Sequence, residues 1–562
     1  MANTYEGTID EAAISAVEDI LKNGKVLTPD ELRGDILARS RNDILMYNSI
    51  AQPGAKWKIP TELVPFQVAY VLIKLHRVAV IETGAKVKNK DKMLLGIYAE
   101  DGEYKGTYIT SESEIRRIAR RYKKSLTRKE LGEVIDILHE EAPRMKRCEE
   151  KNLVPVNNGI FDFDTKQLMP FTPDKVFLSK SQVDYNPFAK NIIIHNDGDN
   201  TDWDVESWIL DIMDDKPDMA ELIWQVIGAT VRPFVSWNRA CFMYSEVGNN
   251  GKGTLCVLLR NLVGEESHTS IPLADFGKDF MLEPLIGTSA IIVDENDVGT
   301  YLDKVGNLKA VITGDVIQIN MKFKTPISFR YKGFMVQCLN ELPRIKDKSD
   351  SFYRRQLFIP FTKSFTGKER KYIKDDYLNR KEVLEYVLFR VLNMNYDDFD
   401  VPQECKDVLD EYKSFNDPVR QFMDEIMPQL TWDLVPFTFL YDLYKAWYKK
   451  NIGERDTKSS QVFIKDLLSI LSEYPDWTCE DKRKTYTTGN KMDEPSGLLP
   501  RVFCPLGRDK ERRQVRRLFD AEMAARRRRG VTMVYINREK HEFDDLNRNF
   551  WKMKIRKISK IL

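Results

Sequence analysis

Residues 240–254 read Ala-Cys-Phe-Met-Tyr-Ser-Glu-Val-Gly-Asn-Asn-Gly-Lys-Gly-Thr, and this stretch decides the fold. The apolar run 241–244 predicts a buried strand, and the apolar run 255–262 predicts a helix. Glycine and asparagine between them permit a tight turn whose N–H groups face inward at the helix N-terminus. Strand, glycine-rich loop, lysine, hydroxyl and helix is the order that a phosphate-binding loop requires.

The predicted loop offers a nucleotide one lysine, one hydroxyl and a set of backbone N–H groups. Lys252 would reach the outer phosphates, and the hydroxyl of Thr254 is placed for Mg²⁺. The motif is imperfect, because Glu246 stands where it begins with glycine and Gly253 separates the lysine from the hydroxyl. An ordinary Gly/Asn-rich turn is the alternative. The candidate ATP-binding residues are Gly248, Asn249, Asn250, Gly251, Lys252, Gly253 and Thr254.

A second buried strand is followed by two adjacent acids. Residues 289–296 read Ser-Ala-Ile-Ile-Val-Asp-Glu-Asn, and Asp294 lies 42 residues after Lys252. Asp294 is predicted to hold Mg²⁺ through water, and Glu295 to orient or deprotonate the attacking water. Adjacent side chains at a strand end point apart, so the two acids can serve both purposes.

Three further features complete the segment 240–362. The strand 334–339 ends at Asn340, an amide placed either to sense a γ-phosphate or to cap the next turn. Residues 321–324 put bases and an aromatic ring at a predicted hairpin tip, where charge and stacking suit single-stranded DNA. Twin arginines precede a last strand, and one of them could stabilise charge at a neighbouring subunit's nucleotide. The residues concerned are Lys322, Phe323 and Lys324 at the tip, and Arg354 and Arg355 before the strand.

Composition indicates a multidomain globular protein, with 42% hydrophobic and 31% charged residues in 562. No apolar run approaches 18 residues and no secretion signal is evident, so no membrane partner is predicted. The seven cysteines are scattered, which predicts a reducing, cytoplasmic compartment and argues against disulfides and a structural zinc site.

The C-terminal third combines a helical pattern with strong positive charge. Residues 419–472 suggest three helices and 482–496 a β-wing, which together predict a winged helix, a fold that contacts either DNA or protein. Residues 501–562 carry 19 Lys/Arg and 8 Asp/Glu, whereas the first 500 residues carry a net charge of −10. The tail therefore predicts DNA-phosphate binding. Its candidate DNA-binding residues are Arg512, Arg513, Arg516, Arg517, Arg526, Arg527, Arg528 and Arg529.

The N-terminal third contains no comparable catalytic pattern. Residues 111–145 are basic and helical in pattern, which suits either a DNA-contacting face or a solvated helix surface. Asp162 and Asp164 are spaced like metal-binding carboxylates, but an Asp-x-Asp pair beside Thr-Lys is more typical of a turn. The predicted domains are an α+β region at 1–195, a helical collar at 204–239, the ATPase core at 240–362, a helical extension at 363–418, the winged helix at 419–500 and the basic tail at 501–562.

The ordered motifs resemble those of superfamily 3 helicases. They are Gly-Asn-Asn-Gly-Lys-Gly-Thr, Ile-Ile-Val-Asp-Glu-Asn, the Lys-Phe-Lys hairpin, Cys-Leu-Asn-Glu-Leu-Pro and Tyr-Arg-Arg-Gln-Leu, with 88 residues from Lys252 to Asn340. The chain is most similar to the poxvirus and phage-satellite primase-helicase branch, particularly replication initiators of phages or staphylococcal pathogenicity islands. Residues 152–186 are similar to the domain that precedes the ATPase in that branch.

The resemblance implies an α/β fold with an AAA+-like P-loop core, and it implies ATP and Mg²⁺ as cofactors. It also implies a homo-hexameric ring that translocates 3′ to 5′ on DNA in a bacterial host cytoplasm. A replication origin is then a partner, and host replication proteins stay open. Arg354 or Arg355 would be the arginine finger, and Lys322 and Phe323 would grip DNA in the channel.

Three other interpretations stay open at this stage. A primase-helicase would need Asp162 and Asp164 as metal ligands. A DNA-binding scaffold with a degenerate nucleotide site would explain Glu246, although every catalytic position is filled by a competent residue. An unrelated P-loop ATPase, such as a packaging motor, would share the phosphate loop alone.

Overall fold

A computed structural model describes residues 4–52, 54–84, 93–297, 299, 301–302, 304–322, 325–430, 434–452, 457–474, 477–479 and 535–538. The chain divides into two compact units, residues 1–409 and 410–562. Both units mix helices with strands, and the first contains a parallel sheet. The predicted mixed α/β class is therefore confirmed. No helix among the described residues is both long and apolar enough to span a membrane.

The N-terminal part of the first unit packs five helices around a four-stranded sheet. Its helices are α1 (Tyr5–Asn23), α2 (Pro29–Ile50), α3 (Pro65–Leu75), α4 (Glu112–Tyr122) and α5 (Arg128–Glu141). Its strands are β1 (Ala79–Glu82), β2 (Leu94–Tyr98), β3 (Tyr108–Ile109) and β4 (Arg144–Lys146), in the order β3-β2-β1-β4. Sequence fixes the helix starts: Thr28 and Thr127 each form a capping box with a glutamate three residues later.

Short antiparallel strands and two helices link this region to the central sheet. The strands are β5 (Leu153–Val156), β6 (Gly159–Asp162), β7 (Gln167–Met169), β8 (Ile194–Asn196) and β9 (Thr201–Trp203). The helices are α6 (Val205–Ile212) and α7 (Pro217–Val231), and both lie within 204–239, where the sequence predicts a helical collar. Helix α7 is buried along most of its length, so it belongs to the interior of the unit.

The central sheet is five-stranded and parallel. Its strands are β10 (Ala240–Tyr244), β11 (His268–Thr269), β12 (Ala290–Val293), β16 (Phe334–Leu339) and β18 (Gln356–Pro360), in the order β11-β12-β16-β10-β18. Between them lie α8 (Lys252–Val263), β13 (Tyr301–Leu302), α9 (Gly306–Thr313), β14 (Val316–Ile319), β15 (Ile327–Arg330), β17 (Arg344–Ile345) and α10 (Asp350–Tyr353). Strands β12 and β16 are buried on both faces, which explains their uninterrupted apolar sequences.

The strand order contains a topological switch point between β10 and β16. From β10 the chain crosses to the far edge at β11 and returns through β12 to β16, and then passes over β10 to reach β18. Parallel register aligns Tyr244 with Leu339 and Val293 with Gln337, so the three strands end at one edge. In open α/β sheets, ligands bind beyond the carboxyl ends of the strands at such a switch point.

An antiparallel hairpin, β14–β15, projects from the central region and contacts the N-terminal sheet. Thr83, which follows β1, donates its hydroxyl to the carbonyl of Ser328 at 2.6 Å, and its own carbonyl accepts from Arg330 N at 3.2 Å. The buried guanidinium of Arg147 donates to the carbonyl of Arg330 at 2.7 Å and stacks on Phe329. The base of the hairpin is therefore bonded to the N-terminal region.

Helices α11 (Lys371–Asp375), α12 (Lys381–Asn393) and α13 (Gln403–Asn416) follow the central sheet. The second unit then contains α14 (Pro418–Ile426), α15 (Phe437–Asn451) and α16 (Ser460–Ile470), with β19 (Leu434–Pro436), β20 (Trp477–Thr478) and β21 (Tyr535–Arg538) in the order β19-β21-β20. Strand β21 lies in the range assigned above to the basic tail. The predicted wing, 482–496, and the eight tail arginines lie outside the described residues.

Replacing Ile292 with Ala should destabilise the central sheet, because this side chain is fully buried in β12. A buried Ile→Ala change costs about 2–5 kcal/mol of unfolding free energy. Ile193→Ala is the matched control, since Ile193 is 72% exposed, and its effect should stay within about 0.5 kcal/mol. Hydrogen–deuterium exchange of the peptides that contain β10, β12 and β16 measures both effects. Equal exchange in the two variants would contradict this placement of the core.

Candidate nucleotide-binding site

The predicted phosphate loop leaves the sheet at the switch point and leads directly into α8. Helix α8 begins at Lys252, and the residue that caps it, Gly251, has a φ of +90°. A Cβ on Gly251 would lie 3.0 Å from a methyl carbon of Ile212 in α6. Glycine is needed here both for its backbone angle and for the close approach of α6.

Hydrogen bonds from two asparagine side chains brace the loop. Asn250 is 4% exposed, accepts from Lys252 N at 3.3 Å and donates to the carbonyl of Val247. Asn249 donates to Glu369 at 3.1 Å, and its carbonyl accepts from Phe365 N at 2.7 Å. The two asparagines therefore act as braces of the loop.

Glu246 does not distort the loop, although the usual motif has glycine at this position. Its carboxylate accepts a hydrogen bond from the hydroxyl of Tyr244 at 2.9 Å, and its side chain is exposed. Its φ is not positive, so the backbone conformation at this position does not require glycine. The departure from the motif leaves the loop geometry intact.

Lys252 is buried at the sheet edge and is bonded to neutral oxygens. Its Nζ donates to Asn340 Oδ1 at 2.9 Å and to the carbonyls of Leu339 and Ser245 at 3.0 and 3.3 Å. Only 5% of Lys252 is exposed, and burial lowers its pKa. In the described part of the chain no carboxylate lies within 4.0 Å of this ammonium. A buried cation in such surroundings favours the arrival of an anion, such as a phosphate group.

The structure brings Asp294 to the first turn of α8. A Cβ on Gly253 would lie 3.1 Å from Asp294 Oδ1, and Arg260, two turns further along α8, approaches Asp294 Oδ2 at 3.6 Å. The position that faces the carboxylate is thus Gly253, which has no hydroxyl. The side chain of Thr254 projects from α8 about 100° further round the helix axis than position 253. A magnesium ion held by Asp294 would therefore rely on water and phosphate oxygens at the position that Gly253 faces.

Glu295 and Asn340 complete the sheet edge. Glu295 follows Asp294 and is exposed, so its carboxylate is accessible to water at this edge. Asn340 is also exposed, although its side-chain oxygen accepts from Lys252. The ends of β10, β12 and β16 therefore bring Lys252, Asp294, Glu295 and Asn340 to one edge of the sheet.

A buried amide pair behind the two acids was not predicted from sequence. Asn296 donates to Gln337 Oε1 at 2.9 Å and to the carbonyl of Cys338 at 3.0 Å, and its own oxygen accepts from Leu273 N at 2.9 Å. Gln337, fully buried in β16, donates to the carbonyl of Ile271 at 3.1 Å. These bonds fix the loop after Glu295 to the sheet. In the sequence, the only indication of this pair is a glutamine inside an otherwise apolar strand.

Arg354 and Arg355, which the sequence does not distinguish as candidate arginine fingers, differ in their contacts. Arg355 is half-buried, its Nη1 donates to the carbonyl of Ser351, and its own carbonyl accepts from Ala240 N at 2.8 Å. Arg354 is exposed at the end of α10, and it forms no ion pair with another described residue. Arg354 is the one that is free to reach a neighbouring molecule.

The candidate DNA-binding residues are only partly described. The predicted hairpin exists as β14–β15, and Lys322 is exposed in its turn. Phe323 and Lys324 lie outside the described residues. In the basic segment 111–145, Arg116 and Arg117 pair with glutamates one turn earlier in α4, as expected of a solvated helix surface.

Asp162 forms a turn and shows no sign of a metal site. Its Oδ1 accepts from the backbone N–H groups of Asp164 and Thr165 at 2.9 and 3.3 Å, and these bonds contribute to a lowered pKa against the effect of burial. This is the Asx-turn geometry that connects β6 to β7. The structure therefore supports the turn interpretation of Asp162 and Asp164.

Comparison with known proteins relates three segments of the chain to family models. A model described as "D5 N terminal like" matches residues 56–219, and one described as "Poxvirus D5 protein-like" matches 414–496. Between them, a "Family of unknown function (DUF5906)" matches 243–355, which includes the predicted phosphate loop, both acids and both arginines. The poxvirus side of the resemblance is confirmed at this level, and the assignment to a phage or pathogenicity island stays a prediction.

A curated relative and two solved structures are also similar. The protein named "Putative helicase L207/L206" of Acanthamoeba polyphaga mimivirus is 26% identical over 240 residues, which are 39% of this chain and 23% of that protein. The chain thus matches about a quarter of that relative's length. Two apo structures of the NrS-1 C-terminal region are 15% identical: one covers 77% of this chain and 98% of its own with a TM-score of 0.41, and the other covers 70% and 94% with a TM-score of 0.39.

Gly251→Ala should loosen the phosphate loop, because alanine must adopt a φ of +90° and meet Ile212. We expect a loss of more than about 1 kcal/mol of stability and faster hydrogen exchange in residues 245–255. Gly248→Ala is the control from the same loop, because no atom lies within 4 Å of its added Cβ and its φ is not positive. Equal exchange in the two variants would argue against the loop geometry.

Proposed function

We propose that this chain is an ATP-dependent DNA helicase of the D5-like branch of superfamily 3, which starts replication of a phage or another mobile element. The observation that carries the proposal is the buried ammonium of Lys252 at the switch point, bonded to Asn340 and close to Asp294. The family matches to D5-like segments and the relative named a helicase support the DNA-unwinding part.

ATP binding would exchange the partners of Lys252. A phosphate group offers the ammonium an anionic partner in place of the oxygens of Asn340, Leu339 and Ser245. The ammonium occupies only Oδ1 of Asn340, so once it moves to the phosphate the side chain would be able to turn and donate from Nδ2 to the γ-phosphate. The sensor and the phosphate-binding lysine are therefore coupled by one hydrogen bond, which is made without ATP and broken with it.

The two acids divide the chemistry of hydrolysis. Asp294 is a hard oxygen donor next to the first turn of α8, so it suits Mg²⁺ bound through water, and the ion neutralises charge on the phosphates. Glu295 is exposed next to it and would orient the attacking water and accept its proton. The bonded amides of Asn296 and Gln337 keep this loop in place.

A ring of subunits would place Arg354 at a neighbour's nucleotide and the β14–β15 hairpins around a central DNA strand. Lys322 at the hairpin turn and the basic residues 501–562 supply positive charge for DNA phosphates. The proposed function includes a hexameric ring that moves 3′ to 5′ along DNA. It also includes recognition of a replication origin by residues 419–562. Charge contributes affinity, while origin choice requires contacts to bases.

Unwinding of a forked duplex in the presence of ATP tests the motor. Wild type should separate the strands, whereas Glu295→Gln should bind ATP but lose about 10²–10⁴-fold in hydrolysis, because the general base is gone. Lys252→Ala should lose hydrolysis and keep DNA binding. Glu265→Gln is the matched control, since Glu265 is exposed beyond the far end of α8 and should leave unwinding unchanged.

Three outcomes would contradict the assignment. If Glu295→Gln unwinds DNA like wild type, the acid has another role. If wild type hydrolyses ATP but unwinds neither 3′- nor 5′-tailed forks, the chain is a packaging or remodelling ATPase. If it does neither with origin DNA present, a DNA-binding scaffold is the better description.

Mixing variants tests whether subunits share active sites. Arg354→Ala should lower ATP hydrolysis by about 10³–10⁵-fold without loss of thermal stability, because its side chain is exposed. Adding Lys252→Ala protein should restore part of the activity, since each variant supplies what the other lacks. Arg355→Ala is the comparison, and it should lower the melting temperature because Arg355 bonds to Ser351. Failure of Arg354→Ala to be rescued would count against shared sites.

A further inference from the structure

Two cysteines far apart in sequence meet beneath the phosphate loop. Cys256 lies in the second turn of α8 and Cys338 in β16, two residues before Asn340. Their Sγ atoms are 3.4 Å apart, and both residues are buried. A carboxylate oxygen of Asp294 completes a triad whose three donor atoms all lie within 4.8 Å of one another. This convergence of two thiols and a carboxylate is unexplained by the binding of ATP.

We propose that Cys256, Cys338 and Asp294 form a binding site for a thiophilic divalent cation of the Zn²⁺ type, and that its occupancy inhibits the ATPase. The binding site itself stands on the geometry of the three side chains. Its inhibitory effect rests on the proposed function, because that function gives Asp294 to Mg²⁺.

The separation of the donor atoms suits a metal better than a disulfide. Two thiolates on a tetrahedral zinc ion, each about 2.3 Å from the metal, lie about 3.8 Å apart. The observed 3.4 Å requires the sulfur atoms to separate slightly. A disulfide requires them to close to about 2.05 Å, a much larger shift inside a packed core. Two sulfur donors and one oxygen donor also match zinc chemistry, with the fourth position open to water.

Two thiolates and the carboxylate of Asp294 would carry three negative charges when the site is filled. A divalent cation would oppose them together with two nearby protein cations, Lys252 and Arg260, the latter 3.6 Å from Asp294 Oδ2. Binding releases the two thiol protons to solvent and forms two metal–sulfur bonds, so no oxidant is needed. Asp294 has a side chain that is 38% exposed and connects the buried sulfur atoms to solvent.

Occupancy would remove Asp294 from the ATPase. A carboxylate engaged by Zn²⁺ cannot also hold the Mg²⁺ hydration shell, and sulfur ligands bind Mg²⁺ poorly. Added Mg²⁺ would therefore compete weakly with Zn²⁺ for this position. Zinc or cadmium would therefore inhibit hydrolysis while leaving the phosphate loop intact.

Cobalt absorption tests the site directly in the full chain, without any ATPase assay. With Co²⁺ and a phosphine reductant, wild type should bind one ion and show a thiolate-to-cobalt charge-transfer band. Cys256→Ala and Cys338→Ala should each lose the band or weaken binding by at least ~100-fold, and Asp294→Asn should weaken it by about 10-fold. Cys148→Ala is the control, since Cys148 is also buried but lies in another apolar cluster.

The same variants separate this inference from the proposed function. Absence of the band in wild type, or its persistence in both cysteine variants, would overturn the site even if the protein unwinds DNA. Presence of the band establishes the site even if the protein has no ATPase activity. Where hydrolysis is measurable, Zn²⁺ should inhibit wild type and Cys148→Ala at least ~10-fold more strongly than Cys338→Ala, and equal inhibition of all three would refute the regulatory effect.

Discussion

The burial of one ammonium group organises this structure. Lys252 sits at the start of α8, where its side chain turns back onto the ends of β10 and β16 and bonds to three oxygens there. Neutral oxygens satisfy its hydrogen bonds but supply no opposite charge, so the cation is stabilised less than it would be in an ion pair. The loop around it is nevertheless held in shape by Asn249 and Asn250. In the proposed function, this arrangement supplies an unpaired positive charge in a fixed loop, which suits an anion such as a phosphate group.

Sheet topology explains why that lysine meets its partners. A parallel sheet whose order reverses between β10 and β16 leaves a crevice at their carboxyl ends, and the loop from β10 must pass over it to reach α8. Register then places Asp294 and Asn340 at the same edge, because Val293 pairs with Gln337 and Leu339 with Tyr244. Any ligand bound by Lys252 is within reach of both neighbouring strand ends.

Sequence predicts the parts of this arrangement that depend on local pattern. The apolar strands, the glycine-rich loop and the acids after β12 all follow from short-range spacing, and each lies where it was expected. The amide pair of Asn296 and Gln337 does not follow, since only the folded sheet brings residues 41 apart into contact. Scattered cysteines argued against a zinc site, yet Cys256 and Cys338 meet across 82 residues. Spacing along the sequence cannot detect a pair of thiols contributed by a helix and by the strand beneath it.

The exposure of side chains is likewise set by the fold and not by the sequence pattern. Arg354 and Arg355 are chemically identical neighbours, and only the start of β18 decides that one bonds within the chain and the other faces outward. The same holds for the hairpin, whose base is bonded to Thr83 and Arg147 in a region that sequence analysis left without a role. Strand β15 leads within three residues into β16, which ends at Asn340. In the proposed helicase, the DNA-contacting hairpin, its anchor on the N-terminal sheet and the partner of Lys252 are thus joined by one short stretch of chain. Under that proposal, a displacement of DNA at the hairpin turn and a change of nucleotide at Lys252 would act on opposite ends of the segment formed by β15, residues 331–333 and β16.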